Sequence, residues 1–194
     1  LLHENRRMPL FHDNGRKGGF YMDNLLTEFK SIPHLIRQSG QGIKNVKTLV
    51  GTSLFVAMNA ALGYFKIVVI PKMLEISFSS LALAACAFTY GPIMAGFAGI
   101  ICDNIKYFLN PSGPYMPLFG LNEFLTGFIY GLFFYKKELT IKRVIAARLT
   151  VVLLINMLLT PLWLHMLYGN AFIVLVQARI LKNILLFPID VFLL

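Results

Sequence analysis

Six apolar blocks, each near the length a helix needs to cross a bilayer, constrain this chain more than any other feature. They run at about Lys47–Phe65, Ser77–Tyr90 (or from nearer Lys72), Ile93–Tyr107, Leu118–Tyr135, Val144–Leu167, and Ala171 to the end. A bilayer core takes roughly 20 apolar residues as a helix. Within lipid each backbone amide needs a partner inside its own segment, so such blocks must be helical. The chain is 57% hydrophobic and 14% charged, against about a quarter charged for a soluble domain. The expected fold is therefore an all-α integral membrane protein, a bundle of six transmembrane helices.

Charge orients the bundle. Of 18 Lys and Arg, eight lie before or at the start of the first block (Arg6, Arg7, Arg16, Lys17, Lys30, Arg37, Lys44 and Lys47) and Lys136, Lys137, Lys142 and Arg143 share one short loop. Basic loops stay in the cytoplasm. With six crossings both clusters, and both termini, fall on that side. The net charge of +9 thus reads as topology, and a nucleic-acid partner is disfavoured. Residues 1–23 read as a basic arm, disordered or foreign to the native chain, with Met22 a candidate start. Leu25, Phe29, Ile32 and Ile36 recur at helical spacing, so 24–46 reads as a cytoplasmic interfacial helix or a solvated arm. The membrane domain is 47–194.

The spans carry small-residue signals. Ala57 and Ala61 share a face of the first span, which lets another helix approach closely, inside or outside this chain. Gly91-Pro92 makes the tightest connection, with proline acceptable in the first turn of the next helix. Gly127 and Gly131 form a GxxxG pair, and Pro161 predicts a kink. Cys86 and Cys102 read as packing residues rather than a disulfide or metal pair.

Ionisable groups inside a membrane cost roughly 2.5–3.5 kcal/mol each on insertion scales, and so point to function. Asp103, Lys106, Glu123, His165 and Arg179 fall at the outer third, with neutral Asn59, Asn104 and Asn122. Asn156, Lys182 and Asn183 lie deeper. Arg148 and Asp190 are expected near the cytoplasmic interface, snorkelling to it. Arg179, Lys182 and Asn183 share one helix face; they either pair with Asp103 or Glu123 or await an anionic ligand. Tyr64, Phe65, Tyr107, Phe108, Tyr115, Phe119, Trp163 and Tyr168 crowd the outer depth, divided between an interfacial belt and ligand stacking. The outer segments Lys66–Ile76 and Lys106–Pro117 read as gate loops over a pocket.

Catalytic signatures are missing from the sequence. There is no GxxxxGK[ST] phosphate loop, HExxH or CxxC. His3, His12 and His34 precede the spans, and nothing supplies a nucleophile beside Asp103 and Glu123. No metal or cofactor is expected. A lipid-modifying membrane enzyme and a self-sufficient carrier or channel stay as competing readings.

The order and spacing of several motifs resemble the S components of energy-coupling factor (ECF) vitamin transporters, most closely the folate-specific branch. They are Ala57/Ala61, Ile76-Ser77-Phe78-Ser79-Ser80-Leu81, Gly91-Pro92, and Asp103 with Pro111-Ser112-Gly113-Pro114-Tyr115. The likeness covers about Lys44 to the end. It implies a bacterial plasma-membrane subunit that captures a vitamin from outside, working with a transmembrane coupling protein and two ATPase subunits. It also implies that Ala57 and Ala61 form the docking face. Folate would need carboxylates for its pterin N–H edge, aromatics for its ring, and cations for its glutamate tail. The expected ligand set is Asn59, Tyr64, Asp103, Asn104, Lys106, Tyr115, Glu123, Trp163, His165 and Arg179. Riboflavin, pantothenate and thiamin remain alternatives.

Overall fold

The computed structural model describes residues 32–64, 66–70, 74–109, 115–169 and 172–194. The chain divides between Pro33 and His34, and the fold below is that of the second unit. Of the interfacial segment expected at 24–46, residues up to Ser31 lie outside the described residues. The rest is helix α1 (32–41), a 3-10 turn at Gly42–Lys44, and the start of α2.

The elements follow the apolar blocks closely. They are α2 (Val46–Tyr64), α3 (Ser79–Tyr90), α4 (Pro92–Leu109) and α5 (Pro117–Phe134). Then come α6 (Ile141–Val151), a π-helical stretch (Val152–Leu159), α7 (Thr160–Tyr168) and α8 (Phe172–Leu193). Among the described residues, three segments can cross a membrane by length and composition: Val46–Gly63, Pro117–Phe134 and Ile141–Tyr168. Helix α3 is apolar but shorter. Helices α4 and α8 are long, but carry Asp103 and Lys106, and Arg179, Lys182 and Asp190.

One expectation is revised. The segment read as an open loop between the first two spans holds an antiparallel hairpin, β1 (Lys66–Ile70) with β2 (Leu74–Ser77), in the register Lys66–Ser77, Ile67–Ile76 and Val68–Glu75. The β-branched run Ile67-Val68-Val69-Ile70 favours extended backbone.

Gly91 and Pro92 act as the sequence implies. Gly91 has φ 86°, a conformation only glycine enters cheaply, and its N–H caps Ala87 O at 3.0 Å. Pro92 opens α4 at once. Helix α1 is fastened to this turn by Ser39, whose Oγ donates to Tyr90 O (2.9 Å) and accepts from Ile93 N–H (3.1 Å).

The core sits among α2 to α6, around Val56, Leu83, Cys86, Ala95, Cys102, Tyr130, Phe134 and Ala147. Both cysteines are free, buried thiols, and Cys102 Sγ lies 3.8 Å from Val56 O. Helices α4 and α5 run antiparallel with their backbones nearly touching. A Cβ on Gly131 would overlap Pro92, one on Gly127 the Ala95 carbonyl, and one on Gly99 the Glu123 carbonyl. Dispersion at such short range holds the pair. The next step outward sets Asp103 over Gly120.

Pro161 does more than kink its helix. It lacks the N–H a regular turn needs, and the preceding turns widen to π geometry, with Thr160 N–H and Oγ1 both bonded to Ile155 O. Such widenings often mark functional sites; here one brings Asn156 round to Asn183 of α8, Nδ2 to Oδ1 at 3.0 Å.

Candidate functional site

Helix α6, the π-helical stretch, α8 and the start of α3 line a polar cavity of about 210 Å³. Ser79 and Ser80 line it from α3, Arg148 from α6, Asn156 from the π-helical stretch, and Arg179, Lys182, Asn183 and Asp190 from α8. Three cations thus face one carboxylate. The spacing of Arg179, Lys182 and Asn183 along α8 puts them on one face, and Asn183 Nδ2 is held at 2.9 Å from Arg179 O.

Arg148 and Asp190 correct the snorkelling expectation. They form an ion pair with each other, their side chains only 13% and 12% exposed. Arg148 Nη1 also donates to Tyr130 Oη at 3.1 Å. One guanidinium therefore joins α5, α6 and α8, and its Nε is buried without a hydrogen-bond partner. Removed from water, these charges are stable only as a pair. Asp190 of α8 thus pairs with Arg148 of α6. Arg179 forms no ion pair with Asp103 or Glu123 among the described residues.

A second polar group lies at the junction of α4 and α5. Asn104 Nδ2 donates to Ile100 O (2.8 Å), and its Oδ1 accepts from Tyr115 Oη (2.6 Å). The Tyr107 and Tyr115 rings are 5.0 Å apart, within contact range for aromatic pairs. Asp103 and Glu123 are half-buried. Lys106 lays its stem across Gly63 of α2, and its charge acts on both carboxylates.

Between the two groups, Asn122 of α5 organises the wall. It accepts from Trp163 Nε1 (3.0 Å) and donates to Thr160 Oγ1 (3.2 Å), while its carbonyl takes Thr126 Oγ1 at 2.8 Å. Trp163 is thereby fixed by α5 rather than lying loose in a lipid belt. Asn59 is 2% exposed; its Nδ2 donates to Ser79 O at 2.7 Å, clipping α2 to the cavity-lining start of α3.

Of the expected ligand set, Asp103, Asn104, Lys106 and Tyr115 cluster at the α4–α5 junction and Arg179 lines the cavity, whereas Asn59, Glu123 and Trp163 do not line it. His165 is exposed and does not line the cavity. The side chain of Tyr64, and the loop residues Phe65, Pro71–Met73 and Asn110–Pro114, lie outside the described residues. Ala57 and Ala61 are both exposed on α2. Arg148, Asp190, Ser79 and Ser80 were absent from the expected ligand set. The cost of burying Arg148 and Asp190 was the signal available for them; for the serines it was their place in the Ile76–Leu81 motif.

Comparison with known proteins agrees with this architecture. The family described as "ECF-type riboflavin transporter, S component" matches residues 43–187. "Folate transporter FolT" of Clostridium novyi (strain NT) is 31% identical over 147 residues, covering 76% of this chain and 85% of the relative. The protein of the same name from Streptococcus mutans serotype c is 31% identical over 130 residues, 64% of this chain and 70% of its own. The structure described as "Crystal structure of FolT bound with folic acid" superposes with a TM-score of 0.68 at 36% identity, covering 76% of this chain and 90% of that one. The chain is a multi-pass membrane protein that belongs to the ECF-type riboflavin transporter S-component family, a family of transporter components and not of enzymes.

Proposed function

We propose that this chain captures folate outside the cell, as the substrate-specificity subunit of an ATP-driven importer in the bacterial plasma membrane. The observation that carries this reading is the likeness, at 36% identity over 76% of the chain, to FolT bound with folic acid. The curated relatives share that name.

Chemistry supports the same ligand. Folate ends in a glutamate with two carboxylates, and the cavity offers Arg148, Arg179 and Lys182 against Asp190 alone. Arginine suits such an anion through paired N–H donors. Asp103 and Glu123 are suited to accept the pterin N–H groups, and Trp163, Tyr107 and Tyr115 to pack on its flat ring. Riboflavin, the vitamin in the family's description, is neutral and would need fewer charges of either sign. At about 210 Å³ the cavity is smaller than the usual ligand pocket of roughly 300–1,000 Å³. A whole folate therefore requires the outer rim to open, a role for the β1–β2 hairpin and the α4–α5 connection.

The topology in this reading is six crossings: α2, α3, α4, α5, the continuous α6–α7 segment, and α8. The basic Lys136–Arg143 loop and both termini face the cytoplasm. A transmembrane coupling protein docks on the exposed Ala57/Ala61 face, and two ATPase subunits supply the energy. Mass spectrometry of the vitamin retained by the purified protein, with uptake assays in liposomes, tests the proposal. Retained folate, and uptake only when coupling protein and ATPases are added, supports it. Retained flavin, or uptake by this chain alone, overturns it.

A further inference from the structure

A second cavity, about 410 Å³, lies at the opposite end of α2 from the hairpin, among α1, the 3-10 turn, the start of α2, the α3–α4 turn and the end of α5. It falls within the size range of ligand pockets. Its chemistry differs from the cationic cavity: no charged side chain lines it. Gln38, Gln41, Asn45, Thr48, Tyr90 and Tyr135 converge on it.

Most of these groups have unused hydrogen-bonding ends. Asn45 Oδ1 accepts from Lys47 N–H, which leaves its amide NH₂. Among the described residues, the Gln38 and Gln41 amides and the Thr48, Tyr90 and Tyr135 hydroxyls make no hydrogen bond within the protein. Amides and hydroxyls together present both donors and acceptors. Their lack of charge gives an ion no reason to enter. The frame around them is fixed: Ser39 pins α1 to the Gly91–Pro92 turn, and a Cβ on Gly42 would meet Thr48 Cγ2 at 3.0 Å. Two aromatic rings belong to the lining, Tyr90 set edge-to-face with Phe55 and Tyr135 with Lys136 Nζ 5.5 Å from its centre.

We infer that this cavity binds an uncharged, hydroxyl-rich group, a sugar ring, delivered either as a glycolipid headgroup or as a free sugar. Such a ring donates and accepts at neighbouring positions and lays its C–H face on aromatic rings, matching the lining. The inference is independent of the vitamin assigned to the other cavity.

Native mass spectrometry of the full chain in detergent tests it, with monoglucosyl-diacylglycerol against phosphatidylglycerol of the same acyl chains. Saturation-transfer NMR with methyl β-glucoside is the second arm. Preferential retention of the glucolipid is expected, reduced about thirtyfold by Thr48→Val with Tyr135→Phe, since two neutral hydrogen bonds of about 1 kcal/mol each are lost. These two near-isosteric changes preserve packing, and unchanged helical content checks the fold. Gln41→Leu gives a second, independent probe. Saturation of methyl β-glucoside that the variants abolish identifies the sugar alone as sufficient. Glucolipid retention without glucoside binding identifies the lipid as the source. Equal retention of both lipids with no glucoside signal, or a preference that survives all three substitutions, overturns the inference.

Discussion

Gly131 of α5 lies against the backbone of Pro92, at the first turn of α4. That contact begins a ladder. Gly127 meets Ala95, Gly99 meets Glu123, and Gly120 leaves room for Asp103. Each step is about one helical turn, so a rule of close packing at one end determines where an acidic side chain stands at the other. The structural turn and the polar junction are thus mechanically one unit.

Enlarging the ladder is expected to be costly. A valine at Gly127 or Gly131 forces two backbones apart, and overpacking of this kind costs about 1–3 kcal/mol or more. Thermal unfolding in detergent should show a clear loss for Gly131→Val and almost none for Gly40→Ala, where an added Cβ meets nothing within 4 Å. Equal stability of the two variants contradicts the packing described.

The Arg148–Asp190 pair makes a distinct prediction. Asp190→Leu leaves a buried guanidinium beside Tyr130 with no counter-charge, a loss of about 3–5 kcal/mol for a pair of this kind. Removing both charges, as Arg148→Met with Asp190→Leu, should recover much of that stability. A double variant no better than Asp190→Leu shows that the two charges are not coupled.

Trp163 is the sole tryptophan, so its fluorescence reports the wall it belongs to. Asn122→Leu deprives its indole N–H of an acceptor, at a cost of about 1–3 kcal/mol where the donor stays buried. Its emission should shift while helical content is retained. An unchanged spectrum places the indole outside that hydrogen bond.

Docking is tested on α2. Ala57→Trp enlarges an exposed face and is expected to abolish assembly with the coupling protein while ligand binding persists. Normal assembly removes this face from the interface.

How much of this was legible in the sequence differs by kind of signal. Helix ends were readable because lipid permits little besides continuous helices, and Gly91-Pro92 named its own turn. The hairpin at Lys66–Ser77 was not read, because a β-branched run also suits a membrane span. The π stretch before Pro161 was expected only as a kink, since proline announces a broken ladder but not how the backbone repairs it. The site was half legible. Cost of burial marked Arg179 and Lys182, and the helical period set them on one face. Pairing is a property of helix rotation, which no local pattern encodes, so the Arg148–Asp190 ion pair was not legible. Asn122 was noticed as polar, but its part in holding Trp163 depends on a residue 41 positions away.

Calorimetric titration of the purified protein with folate and with riboflavin, without ATP, tests the central claim most directly. Saturable one-to-one folate binding, no riboflavin binding, and a loss of about 10- to 100-fold in Arg179→Ala are expected, since a hydrogen bond to a charged group is worth about 1.5–3 kcal/mol. Riboflavin binding in place of folate contradicts the assignment, and unchanged folate affinity in Arg179→Ala removes that side chain from the site.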